Sequence, residues 1–218
     1  MPTRRRLLTA AGATAAAGMA GCTDLFGDGP ITFAAERATV PAVVRNETGH
    51  DEAGIEELVI EETVEVGDRS RDVQVTNWQA EYDKAIDLPV GDSVRAAVCT
   101  VLSTPRAEVL GRTFNPIAEM EPRELIRQFQ DRIEGIENVR HVGEESAATL
   151  DTAAEVGRFE AEGTVADGGQ QVDLELLVTE SVASGDDLVL AVAAYPEVLA
   201  DAERPDALAM IEGIDHPT

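Results

Sequence analysis

From residue 31 onward the chain alternates apolar and polar positions with the two-residue period of half-buried strands over most of its length. Ile31-Thr32-Phe33-Ala34 reads as a first short strand. Glu57-Leu58-Val59-Ile60 and Thr63-Val64-Glu65-Val66 run into a polar turn at Gly67-Asp68, and Asp72-Val73-Gln74-Val75-Thr76 leaves it, which predicts a hairpin. Beyond this the apolar phase moves from Val73 and Val75 to Trp78, Ala80 and Tyr82. Side chains alternate with a period of two, so a one-residue change of phase predicts a β-bulge. Leu88-Pro89-Val90-Gly91-Asp92 makes the next turn, and residues 94–102 read as a strand apolar on both faces.

Helical periodicity is rarer. Thr39 offers an N-cap, Pro41 suits a first turn and Gly49 a C-cap, which predicts a short helix between them. One stretch is strongly amphipathic: after Glu121-Pro122, the residues Leu125, Ile126, Phe129 and Ile133 recur at near-helical spacing, while Arg123, Glu124, Arg127, Gln130 and Asp131 face water, and Gly135 ends it. Four strand-like runs follow at 147–150, 156–165, 172–179 and 188–195, with hairpin turns at Asp167-Gly168-Gly169 and Ser184-Gly185-Asp186. The last run is apolar on both faces, which predicts a central strand covered by a helix on at least one side. Residues 205–211 suggest a short terminal helix before an acidic, Pro-containing tail. The expected class is therefore α+β: a mainly antiparallel sheet with one principal amphipathic helix packed on it.

The first 30 residues follow none of these periods. Thr3-Arg4-Arg5-Arg6-Leu7-Leu8 precedes an uncharged run of Ala, Gly and Thr, the layout of an export signal. That run is too short to cross about 30 Å of hydrocarbon, which takes roughly 20 apolar residues. Arg4 and Arg5 before the leucines resemble the twin-arginine export signal. Met19-Ala20-Gly21-Cys22 resembles a lipobox, in which small residues precede a cysteine that is lipidated and becomes the new N-terminus; a two-chain lipid on Cys22 would hold the chain firmly at a membrane. The expected organisation is a signal peptide over 1–21, a lipid-anchored tether over 22–30 rich in Gly, Asp and Pro, and one domain over 31–218.

Charge adds an expectation about solvent. The chain carries 17 basic and 42 acidic residues for a net charge of -25, and Lys84 is its only lysine. Removal of residues 1–21 takes three arginines and no acid, which moves the charge to -28. A hydrophobic content of 44% argues against disorder. The acids are scattered in ones, twos and threes, not gathered in a block. In molar salt the Debye length falls to roughly 3 Å and self-repulsion is screened, so the composition fits a haloadapted surface. No basic patch exists to neutralise phosphates, which excludes nucleic acid as the expected partner.

Candidate chemistry is sparse. Of the two cysteines, Cys22 is assigned to lipid, and Cys99 in its apolar run reads as a small buried hydrophobe. His50, His141 and His216 are scattered, and none pairs with a cysteine or another histidine at metal-ligand spacing, so no metal and no cofactor are expected. No Gly-x-Ser-x-Gly elbow, phosphate loop or His-Glu-x-x-His motif occurs, and the Glu56-Glu57 and Glu61-Glu62 pairs are expected by chance in so acidic a chain. Asn46-Glu47-Thr48 is a glycosylation sequon. The irregular stretch from Ser103-Thr104-Pro105 to Gly111-Arg112-Thr113-Phe114-Asn115-Pro116 puts a basic and an aromatic residue together in a chain poor in both. Loops carry function more often than core strands, so Arg112, Phe114 and Asn115 are the candidate binding surface.

Taken whole, the chain resembles lipoproteins of haloarchaea in which a twin-arginine leader and lipobox precede one domain of unknown function. The residues carrying the resemblance are Thr3-Arg4-Arg5-Arg6, Ala20-Gly21-Cys22, Thr76-Asn77-Trp78, Ser103-Thr104-Pro105 and the 111–116 stretch. The order of its elements, a sheet, a helix and a four-stranded meander before Tyr195-Pro196, is similar to the PsbP-like α/β sandwich. Neither resemblance supplies catalytic residues. The expected function is that of a membrane-anchored extracytoplasmic lipoprotein with a non-enzymatic binding or interaction domain, its partner in the cell envelope. The alternatives are a solute- or cation-binding lipoprotein serving a transporter and a cryptic hydrolase.

Overall fold

The structure is a computed structural model; it describes residues 29–66, 69–87, 93–109, 112–113, 120–129, 136–164 and 171–217. The strands are β1 (Ile31–Ala34), β2 (Asp51–Val66), β3 (Arg69–Asp87), β4 (Ser93–Pro105), β5 (Glu108–Val109), β6 (Arg112–Thr113), β7 (Ile136–Thr149), β8 (Thr152–Thr164), β9 (Gln171–Thr179), β10 (Val182–Ser184) and β11 (Asp187–Pro196). Three α-helices join them: α1 (Ala42–Thr48), α2 (Pro122–Phe129) and α3 (Ala200–Glu212), the last preceded by a 3-10 turn at Glu197–Leu199.

Nine strands form one mixed sheet. Its antiparallel body runs β2-β3-β4-β11-β9-β8-β7, with β1 beside the first half of β3 and β10 beside the start of β11. β1 pairs parallel to β3, Ile31 opposite Val73, and so makes the sheet mixed. β5 and β6 form a separate two-stranded ribbon. The alternation of β11 fixes the layers. Val189, Ala191, Ala193 and Tyr195 point to the face covered by α3, while Leu188, Leu190, Val192 and Ala194 point to the face covered by α2. Each fully buried Val or Leu among them contributes about 1.5–3 kcal/mol, so this strand, apolar on both faces as its sequence predicts, is the centre of the fold.

The expectation of one principal helix on an antiparallel sheet is overturned. Among the described residues strand outweighs helix 64% to 20%, which makes this a mostly β structure with three helices among those residues. α2 is a minor one, eight residues long, and the 13-residue α3 is longer. The amphipathic signal of α2 is strong because Leu125 and Ile126 are buried while Arg123, Glu124 and Arg127 are exposed. That of α3 is erased because its inner face carries Glu203 beside Ala207, Met210 and Ile211.

Three local expectations also change. β3 pairs with β2 without interruption from Arg69 to Glu81, so no bulge marks the change of phase at Trp78. The register shifts fall instead between Glu52 and Gly54 of β2 and between Lys84 and Ala85 of β3. The phase changes because β3 is long enough to pass from one covered face to the other: Val73 packs with Ile31, whereas Ala80 and Tyr82 belong to the core beneath α1 and α3. Ser103-Thr104-Pro105 is no irregular connection but the buried end of β4, paired with Asp187, Leu188 and Val189 of β11. Its polar atoms are satisfied there, Ser103 Oγ donating to the Glu36 carbonyl at 2.5 Å and Thr104 Oγ1 to Asn77 Oδ1 at 2.5 Å. Finally, Pro41 occupies the cap position of α1, and Thr39 pairs with Asp215 near the C-terminus. Gly49 does close α1, in the left-handed conformation (φ 75°) that glycine adopts without strain.

Candidate functional site

The carboxylates buried in the layer between sheet and α3 are held by basic groups of the same layer. Glu175 of β9 lies opposite Tyr195 of β11, and the Tyr195 hydroxyl donates to its Oε1 at 2.6 Å. Arg204 of α3 binds the same carboxylate in a two-point fork, Nε to Oε1 at 2.6 Å and Nη2 to Oε2 at 2.7 Å, and Arg158 of β8 adds a contact at 3.3 Å. Burial alone pushes the Glu175 carboxyl up, but the bonds from Arg204 and Tyr195 and the two guanidinium charges outweigh it and hold the group below its ordinary range. Lys84 of β3 reaches α3 in the same way, with Nζ 2.9 Å from Glu203 Oε2 and 2.7 Å from Asp206 Oδ2. Burial draws its ammonium down, and the bonds to Asp206 and Glu203 more than reverse this, so its pKa is raised. His50, buried beside this pair, is held below its ordinary value first by burial and then by the Lys84 charge.

A Ser-His-Asp arrangement occurs at the β10–β11 hairpin. His216, from the segment after α3, has Nδ1 3.0 Å from Ser184 Oγ and Nε2 3.1 Å from Asp187 Oδ2. Asp187 Oδ2 also accepts the backbone N–H of Glu36 at 2.8 Å. In the catalytic form of this trio the serine must meet a substrate carbonyl. Here the His216 side chain is 1% exposed and Ser184 and Asp187 are buried, so the trio clasps the C-terminal segment to the hairpin. Cys99 is fully buried in β4 and its thiol is pushed up to about 12 by burial, as expected of a small core side chain and not of a nucleophile.

On the opposite face the walls are apolar. Between α2 and the sheet lies a cleft of about 180 Å³ lined by Leu102, Leu125, Ile126, Val178, Leu190 and Val192, with Gln79 and Thr100 as its polar members. Gly157 of β8 sets how closely α2 approaches: a Cβ there would stand 2.7 Å from Pro122 Cβ and 2.8 Å from the Phe159 ring. A second, shallow depression is acidic, lined by Glu144, Glu145, Glu155 and Glu180 with Ser146 and Ala153. Burial and then the neighbouring Glu144, Glu121 and Glu180 push the Glu155 carboxyl up. Glu144 is paired with Arg123 at 2.6 Å, and Glu180 Oε1 accepts the Glu155 N–H at 2.8 Å. Among the described residues no group of three or more His, Cys, Asp or Glu is placed to hold a metal ion, and no helix is long and apolar enough to cross a membrane.

Of the residues singled out in the sequence, Arg4, Arg5, Cys22, Phe114 and Asn115 lie outside the described residues. Arg112 stands in β6 opposite Val109. Asn46 is exposed on α1, but the Thr48 hydroxyl of its sequon is turned inward, donating to the Val44 carbonyl at 3.0 Å and lying 3.1 Å from His50 Nδ1. Sequence reasoning missed the Glu175 cluster and the His216 clasp, whose members come from separate elements. The acids Asp173 and Glu175 alternating with Leu174 and Leu176 in β9 were the available signal: a charge at an inward position needs a partner.

No curated protein matches the chain. Among solved structures it is similar to cyanobacterial PsbP (CyanoP) from Synechocystis sp. PCC 6803, with 10% identity and a TM-score of 0.36 over 88% of this chain and 99% of that one. Residues 37–215, from just before α1 to the Thr39–Asp215 bridge, match the model of DUF6517, a domain of unknown function, and the chain belongs to that family.

Proposed function

We propose that this protein is a membrane-anchored extracytoplasmic lipoprotein of haloadapted type, exported through Arg4 and Arg5 and held by lipid on Cys22, whose domain acts by binding and not by catalysis. The observation that carries the binding half is the contrast between the two faces of the sheet. On the α3 face the buried carboxylates of Glu175 and Glu203 are paired with Arg204, Arg158 and Lys84, whereas the open cleft beneath α2 is walled by aliphatic side chains. An apolar cleft with a few polar groups is the usual form of a ligand seat. A hydrolase reading draws no support from the Ser184-His216-Asp187 trio, because burial keeps substrate from it. The anchor is consistent with the fold: eight residues lie between Cys22 and Ile31, a reach of about 30 Å if extended, which would keep the β1 end of the sheet near the membrane surface.

The cleft is tested by titrating the protein in molar KCl with a naphthalene-based fluorophore. Saturable binding of one probe per chain is expected, weakened about tenfold, or ~1.4 kcal/mol, by Thr100→Phe, which fills the cleft from a half-buried position. A probe that does not bind, or binds the variant equally well, contradicts a ligand seat there.

A further inference from the structure

The two outer strands of the sheet are protected differently. Edge strands expose a row of unpaired N–H and C=O groups and are normally guarded by charges, bulges or shortness. β7 is broken by two register shifts, at Glu137/Arg140 and at His141/Gly143. β2 is 16 residues long, pairs only with β3 among the described residues, and runs without a shift from Gly54 to Val66. At its middle stand three consecutive exposed apolar residues, Leu58 at 38%, Val59 at 45% and Ile60 at 53%. Alternation puts Leu58 and Ile60 on one face and Val59 on the other, so neither face of the sheet covers them.

The surrounding residues select the partner. Glu56-Glu57-Leu58-Val59-Ile60-Glu61-Glu62 reads the same in chemical type from either end, with Val59 at its centre. Dimers with two-fold symmetry require a self-complementary patch. An antiparallel pairing about Val59 puts Val59 against its own copy, Leu58 against Ile60, and the glutamate pairs against each other. We propose that β2 pairs edge to edge with β2 of a second copy of this chain, forming a continuous sheet across the dyad, and that the facing glutamates make the pairing salt-gated. Like charges directly opposite across strands oppose pairing. With a Debye length of about 10 Å at 0.1 M salt and roughly 3 Å at 1 M, the repulsion that holds the copies apart in dilute buffer is removed in strong salt, and the apolar centre and the backbone bonds remain.

Sedimentation of the full chain carrying Cys22→Ser, in 0.1 M and in 3 M KCl, tests this. A doubling of mass is expected in 3 M KCl only. Glu57→Gln with Glu61→Gln should dimerise at 0.1 M, and Val59→Lys should stay monomeric in both salts with an unchanged circular dichroism spectrum, since position 59 is exposed. Register is read by oxidation: Val59→Cys, on the dyad, should cross-link to its own copy, and Glu65→Cys, far from its own copy, should not. A monomer at every salt concentration, a Val59→Lys dimer, or equal cross-linking at 59 and 65 overturns the proposal. So does a monomer whose Val59 region binds lipid vesicles, which would assign the edge to the membrane instead.

Discussion

The energetic weight of single residues is concentrated where α3 meets the sheet. Glu175 is 4% exposed and its charge is held by Arg204, Tyr195 and Arg158, so loss of Arg204 leaves a buried carboxylate without its main partner. Removing one member of a buried ion pair costs about 3–5 kcal/mol; since Arg204 is 30% exposed, the lower end is expected for Arg204→Ala, about 3 kcal/mol at pH 7 by denaturant unfolding in molar KCl. The sign with pH follows from the lowered carboxyl. Unfolded, Glu175 titrates near 4.5, so its contribution is present above that pH and lost as pH falls through the lower folded value. The variant should therefore lose less stability than the parent between pH 4.5 and pH 3, and parallel acid limbs would show that the cluster does not carry this dependence. None of this was legible beforehand: Glu175, Tyr195 and Arg204 look like scattered surface or core residues until the strands are paired, because sequence separation hides which charges face each other. The same holds for His216, which reads as part of an acidic tail and is buried against Ser184 and Asp187.

Among elements, those whose pattern depends on local alternation were readable and those set by tertiary partners were not. β11 announces itself as central because all eight residues of Leu188-Val189-Leu190-Ala191-Val192-Ala193-Ala194-Tyr195 are apolar, and Leu125 and Ile126 mark the inner face of α2. Of α3 (Ala200–Glu212) the part over 205–211 was expected as a short terminal helix, and its first turn escaped because the buried Glu203 breaks the apolar stripe there. The end of β4 escaped because Ser103 and Thr104 are polar yet buried, satisfied by Glu36 and Asn77. The candidate surface at Arg112, Phe114 and Asn115 was chosen for unusual residue types, whereas the cleft beneath α2 is built from ordinary aliphatic residues of α2, β4, β9 and β11 with Gln79 of β3. Its geometry depends on Gly157, on which Pro122 of α2 rests. Gly157→Ala forces a methyl into a 2.7 Å gap, an overpacking worth about 1–3 kcal/mol. It should lower the melting temperature and weaken binding of the fluorophore. Unchanged melting and probe binding would mean that α2 is not seated on this glycine.

For the whole molecule, the decisive property is charge. A net charge of -25 on 218 residues opposes the compact state unless it is screened. The ion pairs described above neutralise only a small part of the 42 acids. Circular dichroism should show a fold that weakens in dilute buffer and is restored by molar KCl, and a melt indifferent to salt would remove the haloadapted reading. The mass change in strong salt proposed for β2 belongs to the same balance, since repulsion that strains one copy also separates two. The proposed location rests on the leader, and one residue tests it. In the cell that makes this protein, Cys22→Ser should leave the folded chain in the soluble fraction or block its maturation, while the parent chain should sediment with membranes and carry the mass of a lipid on Cys22. Normal processing and unchanged membrane retention of the Cys22→Ser chain would contradict the lipid anchor on which the account depends.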